Sequence, residues 1–463
     1  MQGKEHAAGL SAGNRFTWAD WLLFAVLGLF CFLSFSQSDL LVTGNRSWML
    51  YRSHITDFYD VVYDWEQAYY ANYMPSTFLL FAVWILPLKL LGVRAPAYVE
   101  ENRLILVMWY KLLPVAAYML SGFLLYKIAR RMGFSAGRAK ACAFSFLTMP
   151  AAFFSQFIFS QYDSFTVLFM LLGIYFYMRR QRHDTLRFCL SFGVALTFKY
   201  WALLIFLVLL LLDRKKLTAI LVCSAVMAVP FLLECLIFSG ADAFYQDVFG
   251  FRALSYAQQE DFSALGPVSF FQVGVCVMLA WAYFTEPRDR EEHIRWGVYL
   301  CCGMCFVIFG LSFWHPQWIL FAAPFWAVSS YMNRHTDKFL WLDILFIFFL
   351  YIFTVRYFVG NVDDTMLRYG VWKYLLDGLE TVRHMECFVP NISMTIVGSM
   401  IFAVILIRFL FVHPRYTLTA LSREDETYHM WLLRLRLVAG AAMFAVPAFL
   451  SAYDTVTRGV LPH

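Results

Sequence analysis

Long apolar runs are the feature that most limits what this chain can fold into. They recur along most of the 463 residues, each about 15–22 residues long, and short charged loops separate them. With 61% hydrophobic and 15% charged residues, the chain is far more apolar than soluble domains are. A run of about 20 apolar residues can cross a bilayer as one helix. The sequence therefore predicts an all-α polytopic membrane protein.

The order of the runs predicts about thirteen transmembrane helices. The first run, 18–36, follows a short polar head and is interpreted as an uncleaved signal anchor. The stretch 76–92 is predicted to lie in the outer surface or dip into it, because a full crossing there would place the basic loop 127–140 outside. The predicted first outer loop then runs from 37 to 103.

Charged residues set the predicted orientation of the spans. The loops assigned to the cytoplasmic side carry most of the 37 Lys and Arg residues, as the positive-inside rule requires. More than half of the 32 acidic residues fall in segments assigned to the outside, and acidic residues contribute little to orientation. A solvated outer surface explains this bias, and so does a carboxylate-lined site. No loop interleaves basic and stacking aromatic residues, so nucleic-acid binding is excluded.

The first outer loop contains a row of carboxylates. Asp57, Asp60 and Asp64 share one face of a helix, and the opposite face is apolar. We predict an amphipathic helix resting on the membrane. Its carboxylates are suited to deprotonating a hydroxyl group or to binding a divalent cation, and a merely solvated face is the alternative.

Four further polar groups are assigned to the same outer side. Each has a structural explanation, as a helix start, a capped turn, a snorkelling lysine or an interfacial aromatic belt. Each also offers hydrogen bonds to sugar hydroxyls or a charge for a phosphate. In chain order the groups are Tyr73-Met74-Pro75, Gln161-Tyr162-Asp163-Ser164, Phe198-Lys199-Tyr200 and Trp314-His315-Pro316-Gln317-Trp318.

Taken in this order, the acidic segment and the four polar groups resemble the GT-C superfamily of membrane glycosyltransferases. Its members include dolichyl-phosphate-sugar and polyprenyl-phosphate-sugar-dependent mannosyl- and glucosyltransferases. The resemblance covers roughly residues 18–330 and fades over 331–463. It implies a cytoplasmic tail at 1–17, a catalytic transmembrane module at 18–330 and a variable C-terminal transmembrane module at 331–463.

The resemblance also implies roles for individual side chains. The implied catalytic residues are Asp57 or Asp60 as the base or metal ligand, and Asp163 as a second acid near the donor sugar. Lys199 and His315 are implied to hold the lipid phosphate, and His315 could also protonate the departing group. The implied substrate-binding set is Tyr73, Gln161, Tyr162, Lys199, Tyr200, His315 and Gln317. This chain departs from the family pattern at Met74, where the family has proline.

The implied reaction moves a hexose from a polyprenyl-phosphate donor to a hydroxyl acceptor on the extracytoplasmic face, with inversion and an Asp base. The acceptor, whether glycan, lipid or protein, stays open, and so does the sugar. The expected location is a bacterial cytoplasmic membrane, with a role in cell-envelope polysaccharide synthesis. A strict Asp-x-Asp motif is absent, since the pair is Asp57-x-x-Asp60. Dependence on Mg²⁺ or Mn²⁺ is therefore left open.

Two other functions fit a polytopic chain. A secondary transporter or lipid-linked glycan flippase would place ionisable residues near the membrane midplane, often at a repeat interface. Here only Glu234 and Asp343 are acids deep in predicted spans, and no repeat is visible. A non-catalytic scaffold would tolerate the change Asp57→Asn without loss of function.

Overall fold

The computed structural model describes residues 16–65, 72–96, 102–249, 261–262, 266–358, 369–375, 388–418, 421–422 and 428–458. These residues are almost entirely helical. The α-helices are α1 Trp18–Ser34, α2 Ser38–Ser47, α3 Phe58–Trp65, α4 Pro75–Leu90, α5 Leu104–Arg131, α6 Ala136–Leu147, α7 Pro150–Phe153, α8 Ser164–Arg179, α9 Asp184–Leu196, α10 Trp201–Asp213, α11 Leu217–Ile237, α12 Asp242–Phe244, α13 Phe270–Phe284, α14 Arg290–Gly310, α15 Ala323–Met332, α16 Thr336–Arg356, α17 Trp372–Leu375, α18 Met394–Phe411 and α19 Met430–Arg458.

Shorter elements connect these helices. Single 3₁₀ or π turns occur at Trp48–Tyr51, Ile55–Asp57, Phe154–Ile158, Tyr245–Phe249, Pro316–Phe321 and Pro414–Tyr416. Two strands of two residues each, β1 (Asp261–Phe262) and β2 (Gly266–Pro267), pair antiparallel. Of the predicted N-terminal tail, residues 1–15 lie outside the described residues, as do 66–71 and 97–101 of the predicted outer loop.

The described helices include six that are long and apolar enough to cross a bilayer, namely Leu104–Arg131, Leu217–Ile237, Arg290–Gly310, Thr336–Arg356, Met394–Phe411 and Met430–Leu450. Two sharply bent helix pairs raise this number to eight if each pair is one span. The predicted count of thirteen is therefore not confirmed. Several runs counted as spans form helices of only 13–16 residues, which at 1.5 Å per residue fall short of a ~30 Å hydrocarbon core.

A buried lysine stabilises the first sharp bend, where α2 turns 73° away from α1. The Lys111 ammonium group, on α5, donates hydrogen bonds to the carbonyl oxygens of Phe32 and Phe35, at the end of α1. These carbonyls have no partner within a helix that has ended, and a cation is favoured at a helix C-terminus. The bend places the first turn of α2 beside the segment that precedes the start of α8.

The second bend, of 51°, separates α6 from α7 and the following π turn. Pro150 stands at the first position of α7, where its fixed backbone angle is tolerated but a continuing helix is not. The π turn at Phe154–Ile158 then leads into the polar segment 159–163. Hydropathy alone predicts one span here, whereas the chain is broken just before its polar turn.

The predicted amphipathic helix of the first outer loop is present as the turn Ile55–Asp57 and α3. Its apolar face packs on protein and not on lipid. Phe58 lies 5.0 Å from the Phe78 ring, and Tyr59 lies 5.0 Å from Phe244, with both side chains of α3 fully buried. This correction matters because α3 becomes part of the protein interior, where α4 and α12 meet.

Helix α4 covers most of the stretch predicted to lie in the outer surface. It packs on α5 through stacked Trp84 and Trp109 rings, 5.0 Å apart, and each indole N–H donates to the other residue's carbonyl oxygen at 2.8 Å. Its depth in the bilayer stays a prediction. The pairing fixes the start of α4, and with it Tyr73, relative to the core.

Candidate active site

A half-buried carboxylate that the sequence did not single out lies in the first turn of α2. Three neutral side chains lie within hydrogen-bonding distance of Asp39: Tyr73 and Gln161 donate to Oδ2 at 3.2 and 3.5 Å, and Tyr162 donates to Oδ1 at 3.4 Å. The Thr43 hydroxyl donates to the Tyr162 oxygen at 3.2 Å, which leaves the phenol proton for Asp39. Exposed N–H groups at the helix start also favour a carboxylate here.

A lysine forms an ion pair with an acid of the next polar group, and its charge also acts on the Asp39 carboxylate. The Lys199 Nζ atom lies 3.4 Å from Oδ1 of Asp163. It also lies 4.5 Å from the ring centre of Trp318 and 5.4 Å from that of Tyr73, so two aromatic faces flank the ammonium group. Lys199 therefore stands at the point where the Tyr73, Asp163 and Trp318 segments meet.

Two acids share this one cation. Burial raises the pKa of Asp163, the Lys199 charge partly offsets that rise, and the Asp39 carboxylate adds to it. The pKa values of Tyr73 and Tyr162 lie well above the ordinary value, chiefly because of burial, so both phenols remain proton donors. The cluster thus holds two carboxylates, one ammonium group and a set of neutral donors in a water-poor place.

The turn that carries Gln161, Tyr162 and Asp163 is held in an unusual backbone conformation. Ser160 has a φ of 68°, in the left-handed region that costs a non-glycine residue about 1 kcal/mol or more. The Gln161 carbonyl accepts from the Gln156 amide at 2.6 Å, and the Gln161 side-chain oxygen accepts from the Tyr162 N–H at 2.9 Å. These bonds hold the turn so that Gln161 and Tyr162 both face Asp39.

His315 lies on the other side of Lys199. Its ring stacks on Trp318 with centres 4.6 Å apart and meets Phe358 at 4.8 Å. Burial, and then the nearby charge of Lys199, lower the pKa of His315 to about 4. The imidazole is therefore neutral near pH 7 and suited to donating one N–H, whereas protonation of a departing group would need an anion beside it to raise its pKa. The buried Gln317 Oε1 atom has no hydrogen-bond partner among the described residues.

Lowering the pH should destabilise the folded protein through His315. Its pKa of about 4 in the folded chain lies below the ordinary 6.5, so between these values only the unfolded chain binds the proton. This group's contribution to the free energy of unfolding therefore falls as pH drops from 6.5 to 4, by roughly 2 kcal/mol at pH 5. We expect the melting temperature of wild type to fall more between pH 7.5 and 5 than that of His315→Asn. Equal decreases would contradict the prediction.

Three residues predicted for the site lie apart from this cluster. The exposed Asp57 carboxylate accepts only from the neighbouring Thr56 hydroxyl, at 2.7 Å, among the described residues. Asp60 accepts from the Ala243 N–H at 2.9 Å and so caps the start of α12. The Tyr200 ring lies 6.5 Å from Phe231, against α11. The roles predicted for these three residues have no support from their contacts.

A second hydrogen-bonded chain ties together the elements that carry Tyr73 and Lys199. The Thr197 hydroxyl, at the end of α9, donates to Ser76 Oγ at 2.8 Å, and the Ser76 hydroxyl donates to Glu234 of α11. Glu234 is one of the two acids that sequence placed deep in a span. Here its carboxylate accepts from the first turn of α4.

The residues of the cluster do not form a Mg²⁺ or Mn²⁺ site. Within the described ranges no group of three His, Cys, Asp or Glu residues is placed to hold a metal ion. A metal of this kind needs several oxygen ligands, whereas Lys199 already supplies a positive charge at Asp163.

Asp39 is the site residue that sequence reasoning missed. A signal was present, because Gln37-Ser38-Asp39 is the first polar segment after the first apolar run and its Gln37 side chain accepts from the Asp39 N–H at 2.5 Å as a helix cap. The carboxylates of Asp57, Asp60 and Asp64 have a more regular spacing, and the catalytic base was therefore predicted among them.

Comparison with known proteins gives two matches. The family model of glycosyltransferase family 87 matches residues 73–310, more than half of the chain, which include Asp163 and Lys199 but not Asp39 or His315. The crystal structure of ArnT from Cupriavidus metallidurans bound to undecaprenyl phosphate has a similar fold, with a TM-score of 0.50 and 15% identity over 96% of this chain and 81% of that chain. No curated protein matches the sequence.

Proposed function

Because the chain belongs to glycosyltransferase family 87, we propose that it transfers a hexose from a polyprenyl-phosphate-linked donor to a hydroxyl acceptor at the extracytoplasmic face of the membrane. The predicted membership of the GT-C superfamily of membrane glycosyltransferases is confirmed. The finer proposal rests on one observation: Asp39, Asp163 and Lys199 converge with neutral donors at one end of the helical bundle.

Lys199 is the proposed binding group for the donor phosphate. As the bond between the anomeric carbon and the phosphate oxygen breaks, its electron pair moves to the phosphate, whose growing charge a fixed ammonium group stabilises. The neutral His315 can donate an N–H to the same oxygens. ArnT, whose structure contains undecaprenyl phosphate, supports a polyprenyl-phosphate donor.

Asp39 is the proposed general base. The acceptor hydroxyl gives its proton to the Asp39 carboxylate while its oxygen forms a bond to the anomeric carbon, on the face opposite the departing phosphate, so the configuration inverts. Tyr73, Tyr162 and Gln161 orient the carboxylate. Asp57 and Asp60, the sequence-based candidates for the base, stay predictions. Asp163 is proposed to position Lys199, at 3.4 Å.

The charge distribution supports the extracytoplasmic side. Helix α8 starts at the site and ends at Arg179, followed by further basic residues, and α10 likewise ends next to Arg214. Basic loops at that end are expected to be cytoplasmic, which puts Asp39 and Lys199 outside. We propose a bacterial cytoplasmic membrane and a cell-envelope polysaccharide as the setting, with the acceptor a glycan, lipid or protein.

The contacts of Asp343, one of the two deep acids, disfavour the transporter alternative. Glu234 accepts a hydrogen bond from Ser76, and Asp343 accepts from Arg408 and Arg436. An ion or proton pathway would need carboxylates that can exchange their partners with a moving substrate. Asp343, held at both oxygens by arginines, lacks that character, whereas one oxygen of Glu234 has no hydrogen-bond partner among the described residues.

A transfer assay tests the proposal and the role of Lys199 together. Purified protein is incubated with polyprenyl-phosphate mannose or glucose and a panel of hydroxyl acceptors, and product is measured. We expect Lys199→Ala to raise the donor KM by about tenfold to hundredfold, because a charge-assisted hydrogen bond to phosphate contributes roughly 1.5–3 kcal/mol.

Lys89→Ala is the matched control, since this exposed lysine on α4 lies over the Tyr51 ring and away from the cluster. It should leave the donor KM within about twofold of wild type. If Lys199→Ala retains the wild-type donor KM, the phosphate does not bind there. If wild type transfers none of the sugars offered, the proposed reaction is wrong.

A further inference from the structure

A polar cavity lies at the opposite end of the bundle from the candidate active site. It has a volume of about 270 Å³ and is formed where α8, α9, α10 and α11 end or begin. Helix α8 runs from Asp163 to this cavity, and its 16 residues span about 24 Å at 1.5 Å per residue. A ligand bound here would therefore be separate from one bound at Lys199.

Two arginines and two acids line this cavity, and two further arginines pair with one of these acids. Asp184, which is fully buried, pairs with Arg179 at 2.5 Å and with Arg187 at 3.4 Å. One carboxylate thus carries two guanidinium groups. Asp184 lines the cavity, whereas Arg179 and Arg187 lie outside its lining, so their pairing neutralises the Asp184 carboxylate and leaves one surplus positive charge near the cavity.

The same arrangement occurs at the second acid. Asp213 pairs with Arg180 at 2.8 Å and with Arg214 at 3.1 Å, and both arginines line the cavity. Arg214 also approaches the Thr185 hydroxyl at 3.3 Å. A guanidinium group has five N–H donors, and within the described residues these bonds use only some of them. The four charged side chains that line the cavity sum to zero, and Arg179 and Arg187 beyond the lining bring the local charge to about +2.

The backbone at Arg180 is held in a costly conformation that turns its side chain to the cavity. Its φ of 55° lies in the left-handed region, as the residue that ends α8. The His293 Nε2 atom lies 2.6 Å from the Tyr177 hydroxyl oxygen and 3.2 Å from a guanidinium nitrogen of Arg180. Arg180 is thereby fixed between Asp213 and His293, although half of its side chain is exposed.

The positive-inside rule accounts for basic residues at this end, but it does not require a cavity between them. A volume of about 270 Å³ holds several waters or one tetrahedral anion with its solvent, since a liquid water occupies about 30 Å³. The neighbouring apolar cavity, at about 40 Å³, is too small for a lipid chain. The space therefore suits a headgroup and not a whole lipid.

We propose that this cavity binds a phosphate group, either as inorganic phosphate or as the headgroup of an anionic phospholipid, through Arg180 and Arg214. Arginine forks match the oxygen spacing of phosphate and bind it in bidentate fashion. Thr185 and Gln181, which also line the cavity, offer neutral hydrogen bonds to the remaining oxygens. The apolar outer surface of α11 beside the cavity leaves room for acyl chains in the bilayer.

The test measures phosphate and lipid binding to the purified full chain. Radiolabelled inorganic phosphate is used in equilibrium dialysis, and phosphatidic acid is compared with phosphatidylcholine by native mass spectrometry. We expect Arg180→Gln with Arg214→Gln to weaken binding of whichever phosphate species binds wild type by about tenfold or more. Arg288→Gln with Arg415→Gln removes the same charge from exposed positions at the same end and should change it by less than about twofold.

Further variants keep the result interpretable. Thr185→Phe fills the cavity without removing a charge and should also abolish phosphate binding. This variant tests the site independently if the double arginine variant fails to fold. The measurement is repeated in Lys199→Ala protein, where the site retains its affinity because it is independent of the proposed donor site. Binding of phosphatidic acid without inorganic phosphate identifies the lipid headgroup as the ligand. The proposal is overturned if wild type binds neither inorganic phosphate nor phosphatidic acid. It is also overturned if the control variant with Arg288→Gln and Arg415→Gln loses as much affinity as the variant with Arg180→Gln and Arg214→Gln.

Discussion

The change Asp39→Asn should lower kcat for glycosyl transfer by about 10²–10⁴-fold, the range that a general base contributes. An amide has nearly the shape of the carboxylate but cannot accept a proton from the acceptor hydroxyl. Tyr73, Tyr162 and Gln161 still surround the side chain, so the donor KM and the melting temperature should change little. The measurement is steady-state transfer by purified protein, with both kinetic constants determined.

Asp57→Asn and Asp60→Asn are the matched controls for this result. They remove the same charge from α3 and its preceding turn, where neither carboxylate meets the cluster. Both variants should be nearly silent, because the amide oxygen that Asp60→Asn introduces can still accept from the Ala243 N–H and keep the cap on α12. If activity survives Asp39→Asn but is lost in either control variant, the base is on α3 or in its preceding turn, and our assignment fails.

The change Asp343→Leu should lower the free energy of unfolding by about 3–5 kcal/mol. The Asp343 carboxylate accepts from both Arg408 and Arg436, and all three side chains are buried. Without it, two buried guanidinium groups repel each other with no carboxylate between them. The loss can be followed as a fall in melting temperature and in the yield of monodisperse protein after detergent extraction.

Two further variants check this explanation. Asp337→Asn removes an acid from the first turn of the same helix, where the described residues form no ion pair with it, and should change stability by less than about 0.5 kcal/mol. Replacing all three members, with Asp343→Leu, Arg408→Met and Arg436→Met, should recover much of the loss, because apolar residues can replace a buried ion group at little cost. A stable Asp343→Leu protein would mean that the arginines do not depend on this acid.

The same triad explains why the C-terminal helices belong to the core. Arg436 of α19 also donates to the Ser145 carbonyl oxygen and, at 3.1 Å, to the Thr148 hydroxyl, both on the segment around α6. Near the other face, Arg434 donates to Asp20 of α1 at 2.5 Å. The region 331–463, predicted as a variable module, is thus bound to α1 and α6 through Arg434 and Arg436. In the topology predicted from sequence, both arginines are counted among the cations of a cytoplasmic loop.

Sequence reasoning worked where a signal is local. A polar group that interrupts apolar runs is visible in a short window, which is how the segments around Tyr73, Asp163, Lys199 and His315 were found. It failed where the deciding partner is distant in sequence. The bend after α1 depends on Lys111, and the choice of acid depends on Gln161 and Tyr162, more than a hundred residues beyond Asp39.

The amino-acid sequence by itself determined that this chain is a helical membrane protein, because partition into a bilayer depends on the composition of each stretch of about 20 residues. The order of its polar segments also indicated the GT-C superfamily. Only the tertiary structure decided which carboxylate meets the lysine and how many helices are long enough to cross. The strength of a hydrogen bond or ion pair depends on the distance between the atoms in space and not on their separation along the chain. Gln161 and Asp39 are 122 residues apart in sequence and 3.5 Å apart in the fold.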